Sequence, residues 1–267
     1  MSQKCHSILT NARGRRLADV GSVSVDLPDG HTIPEHSHPE DQILFASAGV
    51  MTLRTPQGVW VLPPHRALWI PARTLHSVRA SGRVAMRTLY LYPRLCRSLP
   101  RRCFVMHVSG LLKELILHAC ALKSLRPAVA AERRITDLLI DQLQVAESIP
   151  LQLPHPRDAR ACRVMDALVA NPDDARTLEA LCRESGASKR TIQRLFLDET
   201  RITFRKWRQQ LRLLHAMQRL ASGEKVITAA LDSGYTSTSA FISMFRKQLG
   251  TTPARYLAAD VAGPRPS

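Results

Sequence analysis

The stretch VITAALDSGYTSTSAFISMFRKQLG, from Val226 to Gly250, decides the fold of the C-terminal half. A short apolar segment is followed by Gly234, which can adopt the left-handed backbone that a tight turn requires. Ser237 is a suitable N-cap for a second helix, because its hydroxyl can accept a hydrogen bond from a backbone N–H. In that second segment the apolar residues recur at every fourth position: Phe241, Phe245 and Leu249. The pattern predicts a helix-turn-helix unit in which one face of each helix is buried.

The same arrangement occurs a second time upstream. Gly186 supplies a turn and Ser188 an N-cap. The apolar face of the preceding helix holds Leu178, Leu181 and Cys182. Between the two units, the segment from Phe204 to Ala221 has the spacing of a single helix, which spans roughly 27 Å. A rigid spacer of this length suits two recognition helices that enter major grooves about one DNA turn apart, near 34 Å.

Both second helices leave polar side chains on their outward face. In the first unit these are long hydrogen-bond donors suited to bases and phosphates: Lys189, Arg190, Gln193 and Arg194. In the second unit they are short hydroxyls followed by two cations: Thr238, Ser239, Ser243, Arg246 and Lys247.

The second unit closely resembles the signature of the AraC/XylS family, and the resemblance extends from about Arg160 to Leu257. Matched position by position, it implies base contacts in the first unit from Arg190, Thr191, Gln193 and Arg194. It implies base contacts in the second unit from Thr238, Ser239 and Ser243, and backbone contacts from Arg246 and Lys247. Some family members carry arginine where this chain has Ser243. Base reading by the second unit is therefore expected to be weak, with phosphate and shape readout dominant.

The N-terminal half shows short apolar runs between turn signals from Ser22 to Tyr92, a pattern typical of a β-sandwich or barrel. It resembles a cupin in two motifs. His36, His38 and Gln42 lie in the first, where Gln42 replaces the usual glutamate. His76 lies in the second, where Arg73 replaces the usual glycine.

Histidines two apart on a strand point to the same face, so His36 and His38 can converge and His76 can join them. Imidazole suits several divalent metals, which makes these three histidines a candidate metal site and a divalent ion the candidate cofactor. The alternative is an effector pocket without metal. Its expected lining is His36, His38, Gln42, Phe45, Trp60, Trp69 and His76.

Two helices are expected after the barrel, at residues 105–125 and 127–145. In one interpretation they dimerise through Leu111, Leu115, Ile135, Leu138 and Leu139; in the other they only cover the barrel. Three prolines in residues 148–156 indicate an extended linker. The expected order is a cupin-like sensor at 1–102, a helical pair at 103–147, the linker at 148–156 and the DNA-binding domain at 157–267. This is an α+β chain: a jelly-roll-like β-barrel and two helices, then an all-α domain.

A formal net charge of +16 favours a polyanionic partner, but the basic excess is shared by both halves and does not locate the site. The six cysteines form no CxxC pair. The sequence shows no signal-peptide pattern and no long apolar segment, so a cytoplasmic, nucleoid-associated protein is expected.

The leading hypothesis is a transcription regulator, not an enzyme, that binds double-stranded DNA and responds to a small molecule or metal. It is expected to be a homodimer that acts with RNA polymerase, as activator or repressor. Two alternatives remain open. One is a cupin metalloenzyme, a dioxygenase or isomerase, tethered to DNA, although Gln42 in place of a carboxylate removes its general base. The other is a DNA-architectural protein without a ligand.

Overall fold

The computed structural model describes residues 9–10, 17–149 and 151–255. Its strands are β1 (Val20–Leu27), β2 (Thr32–His36), β3 (Asp41–Thr55), β4 (Gly58–Leu62), β5 (Arg66–Ile70), β6 (His76–Leu91), β7 (Phe104–His107), β8 (Ser124–Leu125), β9 (Ser148–Ile149) and β10 (Gln152–Pro154). Its helices are α1 (Gly110–Leu122), α2 (Ala130–Gln144), α3 (Ala159–Ala170), α4 (Leu178–Ser185), α5 (Lys189–Thr200), α6 (Phe204–Ala221), α7 (Val226–Leu231) and α8 (Thr238–Leu249).

Two long strands, β3 and β6, organise the first unit, which comprises residues 1–55 and 60–150. They pair antiparallel, and β6 also pairs with β1 and β2, while β5 joins β3 to β7. The β3–β6 register shifts between Ala46 and Val50. Bulges of this kind bend a strand, so the two halves of β3 and of β6 can pair with different neighbouring strands.

Alternation along these strands gives the sheet two different faces. Ile43, Phe45 and Leu89 belong to a buried cluster with residues of α1 and α2. We call this side the helix face. Gln42 and Thr88, each one residue away along its strand, point to the opposite side, which we call the histidine face.

The segment after Arg102 begins as a strand, so the predicted start of a helical pair at residue 103, with a helix from Val105, is wrong. Residues 104–107 pair with β5, and Val105 and Met106 also pair with Ile149 and Ser148. A place between two strands overrides the local helical spacing. Helix α1 begins only after Ser109, whose hydroxyl accepts a hydrogen bond from Leu112 N.

The second unit comprises residues 56–59 and 151–267, so the division falls within the predicted linker. Strand β9 belongs to the first unit and β10 to the second. The helices of both predicted helix-turn-helix units are present, and α6 has the predicted length of 18 residues. Beyond α8 the structure describes the chain as far as Arg255.

The α+β class is confirmed, with an antiparallel sheet in the first unit and helices in the second. In the part of the chain that the structure describes, no helix has the length and apolar character needed to span a bilayer.

Candidate DNA interface and histidine cluster

Helix α5 presents the candidate base-reading residues of the first helix-turn-helix unit. Ser188 caps it as predicted, with its hydroxyl accepting a hydrogen bond from Thr191 N. Gly186 precedes the cap with a left-handed φ of 68°. The predicted outward residues Lys189, Arg190, Gln193 and Arg194 are exposed, whereas Thr191 is half-buried.

The charges on α5 oppose its own helix dipole. Lys189 and Arg190 occupy the first turn, which holds no acidic residue. Cations are disfavoured at a helix N-terminus, so they gain nothing there from the helix itself. Lys189 is partnered by Glu179 of α4. Within the described residues no acidic side chain pairs with Arg190 or Arg194, which leaves both guanidinium groups available to an external anion.

Aromatic packing fixes α5 on the long helix α6. The ring of Phe196 lies 5.2 Å from that of Phe204 and 5.3 Å from that of Trp207, edge to face in both cases. The Trp207 indole N–H donates to the Pro154 carbonyl at 2.8 Å. The spacer helix is therefore anchored at its start by buried aromatic rings.

Helix α8 is capped by Ser237, and it buries the rings of Phe241 and Phe245. Its predicted contact residues are exposed at Ser239, Ser243, Arg246 and Lys247, and half-buried at Thr238. Arg246 and Lys247 lie in the last turn, where cations are favoured by the dipole.

Ion pairs that the sequence analysis missed join α6 to the second helix-turn-helix unit. Arg219, near the end of α6, pairs with Glu224 at 2.7 Å and also with Asp232, the C-cap of α7. Ionic partners 5 and 13 residues away follow no helical period, so pattern reasoning offered no signal for them.

In the first unit the structure brings together His36, His38 and His76. One ring nitrogen from each lies within 4.8 Å of the other two. Two nitrogens that bind one ion at about 2.1 Å lie at most about 4.2 Å apart, so a small inward rotation of the rings would complete a metal site. His38 and His76 are buried, and His36 is half-buried.

The two cupin-like motifs are physically joined at this cluster. Arg73 N donates to the His38 carbonyl at 2.7 Å. Arg73 keeps a left-handed φ of 63°, the conformation that the usual glycine would supply more easily. The turn before His76 is therefore preserved despite the substitution.

Each histidine uses Nδ1 for a backbone carbonyl two residues away. The distances are 2.8 Å from His36 to Pro34 O, 2.9 Å from His38 to Glu40 O and 2.8 Å from His76 to Thr74 O. A carbonyl only accepts, so each Nδ1 carries the hydrogen and each Nε2 of a neutral ring carries a lone pair. This is the outer-shell arrangement that orients metal-binding imidazoles.

His76 is the most constrained of the three. Its Nε2 is buried and has no hydrogen-bond partner within the described residues. Burial, together with smaller contributions from the neighbouring His36 and His38, lowers the pKa of His76 to about 4. The ring is therefore neutral at physiological pH, and its Nε2 can bind a cation.

Gln42 and Thr88 extend the cluster. Gln42 Oε1 lies 2.8 Å from His38 Nε2, and Gln42 Nε2 donates to Thr88 Oγ1 at 2.9 Å. The Thr88 hydroxyl donates in turn to Ile43 O at 3.0 Å. The ring of Tyr90 packs edge-on against His38, with centroids 4.9 Å apart. Sequence reasoning missed Thr88 and Tyr90 because it could not know which residues of β6 face Gln42.

Two predicted effector residues are placed elsewhere, and this is a correction. Phe45 and Trp69 are fully buried on the helix face, and the Trp69 indole donates to Pro100 O. The two-residue period of a strand puts Phe45 on the side opposite Gln42. Trp60 is buried, and its indole N–H has no partner within the described residues.

A cleft of about 500 Å³ in the first unit involves different residues. Its lining includes Leu27, Ala48, Arg83 and Val84 and none of the predicted effector residues.

The predicted dimerisation face is only partly available. Leu115 and Leu139 are buried in the core between the sheet and the helices, and Ile135 packs against it, which corrects those assignments. Leu111 and Leu138 remain exposed, at 49% and 39% of their surface. The helices thus do cover the sheet, while two of the five leucine and isoleucine candidates stay open to solvent.

Comparison with known proteins identifies both units. The model of an AraC-like ligand binding domain matches residues 25–204, and that of a helix-turn-helix domain matches residues 181–259. The HTH-type transcriptional regulator NimR of Escherichia coli K12 is 33% identical over 230 residues, which cover 86% of this chain and 84% of NimR.

Two further matches have less identity or less coverage. The HTH-type transcriptional regulator RipA of Corynebacterium glutamicum is 37% identical over 109 residues, 41% of this chain and 32% of RipA. A crystal structure of unsaturated fatty acid bound ToxT from Vibrio cholerae has a TM-score of 0.39 at 12% identity, covering 94% of this chain and all of ToxT. On the match of the ligand-binding domain and the similarity to NimR, the chain belongs to the AraC family of DNA-binding transcription regulators.

Proposed function

We propose that α5 and α8 read two adjacent segments of one operator. The base contacts come from Arg190, Thr191, Gln193 and Arg194 on α5 and from Thr238, Ser239 and Ser243 on α8, with Lys189, Arg246 and Lys247 on phosphates. One observation carries the proposal. Arg190 stands in the first turn of α5 against the helix dipole and without an acidic partner, which is costly unless an anion or base edge binds it.

Binding-site selection on the full chain tests the base contacts. Arg194→Ala is expected to relax the preference at one or two base pairs, at a cost of about 1–3 kcal/mol. The matched control is Arg183→Ala, since Arg183 is exposed on α4 rather than on a recognition helix. An Arg194→Ala logo identical to that of the wild type would overturn the assignment.

For the sensor unit, we infer that the effector is a divalent transition metal held by His36, His38 and His76. The support is the meeting of one ring nitrogen from each histidine, with every Nδ1 held at a backbone carbonyl and the Nε2 of His76 buried without a partner in the described residues. A bound ion would draw β2, the following turn and the start of β6 together. It would add a binding free energy that folding alone does not supply.

Elemental analysis of tag-free protein, dialysed against zinc, nickel, iron or manganese, tests the metal. One ion per chain is expected for the wild type and none for His38→Ala or His76→Ala. His118→Ala is the control, because His118 is exposed on α1. A wild type that retains no ion would reduce the three histidines to packing or effector-pocket residues.

We further propose a cytoplasmic homodimer that acts with RNA polymerase and has no catalytic activity. Leu111 and Leu138 are the candidate contacts, since they are the exposed members of the predicted face. The enzyme alternative predicts turnover of small oxidisable substrates by the metal-loaded protein. The architectural alternative predicts that neither metal nor small molecule changes DNA binding.

A further inference from the structure

A cleft of about 330 Å³ lies beside the first half of α6, within the second unit. Three arginines, one glutamine and two aromatic residues line it: Phe204, Arg205, Arg208, Gln209, Arg212 and Tyr235. The arginines recur at intervals of three and four residues, so they lie on one face of the helix. We call this site the arginine cleft. Among the described residues that line it, none is acidic.

The positive charge of the arginine cleft is met by backbone carbonyls rather than by carboxylates. The Arg208 guanidinium donates to the carbonyls of Asp174 and Arg176. Arg212 donates to the same Asp174 carbonyl at 3.2 Å. The carboxylate of Asp174 is paired with Arg176. A carbonyl accepts a hydrogen bond but carries no net charge, so the two guanidinium groups are held in place without being neutralised.

Crowding of like charge makes the cleft receptive to an anion. The Nε atoms of Arg208 and Arg212 are buried without a partner in the described part of the chain. Burial lowers the pKa of Arg208 below its ordinary value, and the neighbouring Arg212 lowers it too. An anion in the cleft would relieve this repulsion. Phosphate suits guanidinium groups best, because it accepts paired, charge-assisted hydrogen bonds from their planar edge.

The three arginines differ in what they can offer. Arg208 and Arg212 are half-buried and use donors on the segment between α3 and α4, so they form the fixed wall of the cleft. Arg205 is exposed, and within the described residues no acidic side chain pairs with it. Its guanidinium is therefore the one with donors available to a bound anion.

The position of the cleft indicates the source of that anion. Tyr235 stands two residues before Ser237, the N-cap of α8. The first residues of a recognition helix enter the major groove, so the residues just before them pass the phosphate backbone at the edge of the groove. Helix α6 also joins the two recognition helices, and adjacent major grooves are separated by one minor groove. In the proposed complex, the phosphates beside that minor groove are the anions nearest to the cleft.

We propose that the arginine cleft binds a phosphodiester group of the DNA backbone between the segments read by α5 and α8, with Arg205 in direct contact and Arg208 and Arg212 as the cationic wall. The inference rests on the proposed reading of one operator by both helices, and it adds a contact from the spacer helix. A phosphate contact carries no base information but fixes register and orientation. The cleft would therefore set the spacing between the two segments.

Duplexes with one phosphate at a time replaced by an uncharged methylphosphonate test the inference on the full chain. The scan covers the phosphates between the two segments that the wild type protects in a footprint. The wild type is expected to bind about 3- to 10-fold more weakly at one or two positions, and Arg205→Gln to show no loss there. On the unmodified duplex, Arg205→Gln should reduce the slope of log K against log salt by about 1.

Two further variants separate a specific contact from general electrostatics. Arg205→Lys keeps the charge, so it should retain the salt slope of the wild type. Lys206→Gln is the matched control, since Lys206 is the next exposed cation of α6 and is not among the lining residues. It should keep the wild-type pattern of sensitivity to neutral phosphates. Loss of that pattern in Lys206→Gln as well as in Arg205→Gln would overturn the assignment to the cleft.

Calorimetry with inorganic phosphate or pyrophosphate, in the absence of DNA, separates a backbone phosphate from a free one. A dissociation constant above about 1 mM is expected, because one anion alone makes few contacts. Much tighter binding that Arg205→Gln abolishes would make the cleft a small-molecule site and overturn the DNA assignment. Equal sensitivity of the wild type and Arg205→Gln to every neutral phosphate, with the base preference of Arg194 intact, would overturn the cleft contact and leave the operator reading standing. No specific DNA binding by the wild type would overturn both.

Discussion

The guanidinium of Arg212 lies 2.8 Å from the point that a Cβ on Gly234 would occupy. The same side chain donates to the Asp174 carbonyl at 3.2 Å, which limits its freedom to move away. Gly234 itself has a left-handed φ of 76°. A side chain at position 234 would therefore strain the backbone of this turn and would also require the end of the Arg212 side chain to shift.

Replacing Gly234 by alanine is expected to cost more stability than replacing Gly186. Both glycines have a left-handed backbone, which costs an alanine about 1–2 kcal/mol. A Cβ at Gly186 meets nothing within 4 Å, whereas one at Gly234 meets the end of the Arg212 side chain, whose displacement adds about 1 kcal/mol, the low end of overpacking costs. Urea unfolding of the two variants measures the difference. Equal losses, or a loss at Gly234 that Arg212→Ala does not reduce, would contradict it.

Loss of Arg246 is expected to weaken DNA binding equally for all sequences. A phosphate contact releases about one counterion, so the slope of log K against log salt should fall by about 1 in Arg246→Ala. Titrations of a specific and a random duplex at several salt concentrations provide the measurement. Gln248→Ala, an exposed uncharged neighbour, is the control. A changed base preference with an unchanged slope would instead make Arg246 a base-reading residue.

Much of the DNA-binding unit could be predicted because its signals are local. The caps at Ser188 and Ser237, the turn at Gly186 and the extent of α6 depend on neighbouring residues and helical period. The histidine cluster was predictable from two motifs. The partners of Gln42 were not, because strand register depends on contacts between residues about 46 positions apart. Phe45 was misplaced for the same reason, since only the register shows which face the helices cover.

Substitution of Phe45 is expected to separate the core from the metal site. The ring packs on the helix face, so Phe45→Leu should lower the free energy of unfolding by about 1–2 kcal/mol, as volume-reducing core changes do. Affinity for Zn²⁺ should stay within a factor of two or so of the wild type, roughly 0.4 kcal/mol. Unfolding and chelator competition on the same preparation check both values. A tenfold loss of zinc affinity would place Phe45 in the effector site after all.

A charge at Leu138 is expected to weaken the proposed dimer without unfolding the chain. Leu138 is exposed within the first unit, so Leu138→Glu should change stability by less than about 0.5 kcal/mol. Sedimentation at several concentrations should show more monomer than in the wild type. Leu197→Glu, at an exposed leucine of α5, serves as the comparison. An unchanged distribution in Leu138→Glu would remove α2 from the interface.

The chemistry of α5 differs from that of α8, and the 18-residue helix α6 lies between them in the chain. In the proposed complex, one chain therefore reads DNA with the guanidinium groups of α5 at one end of the site and with the short hydroxyls of α8 at the other. An operator read in this way is asymmetric, so it has a defined orientation in the promoter. Inverting the site would keep every base pair and would reverse the orientation of the bound protein relative to the promoter.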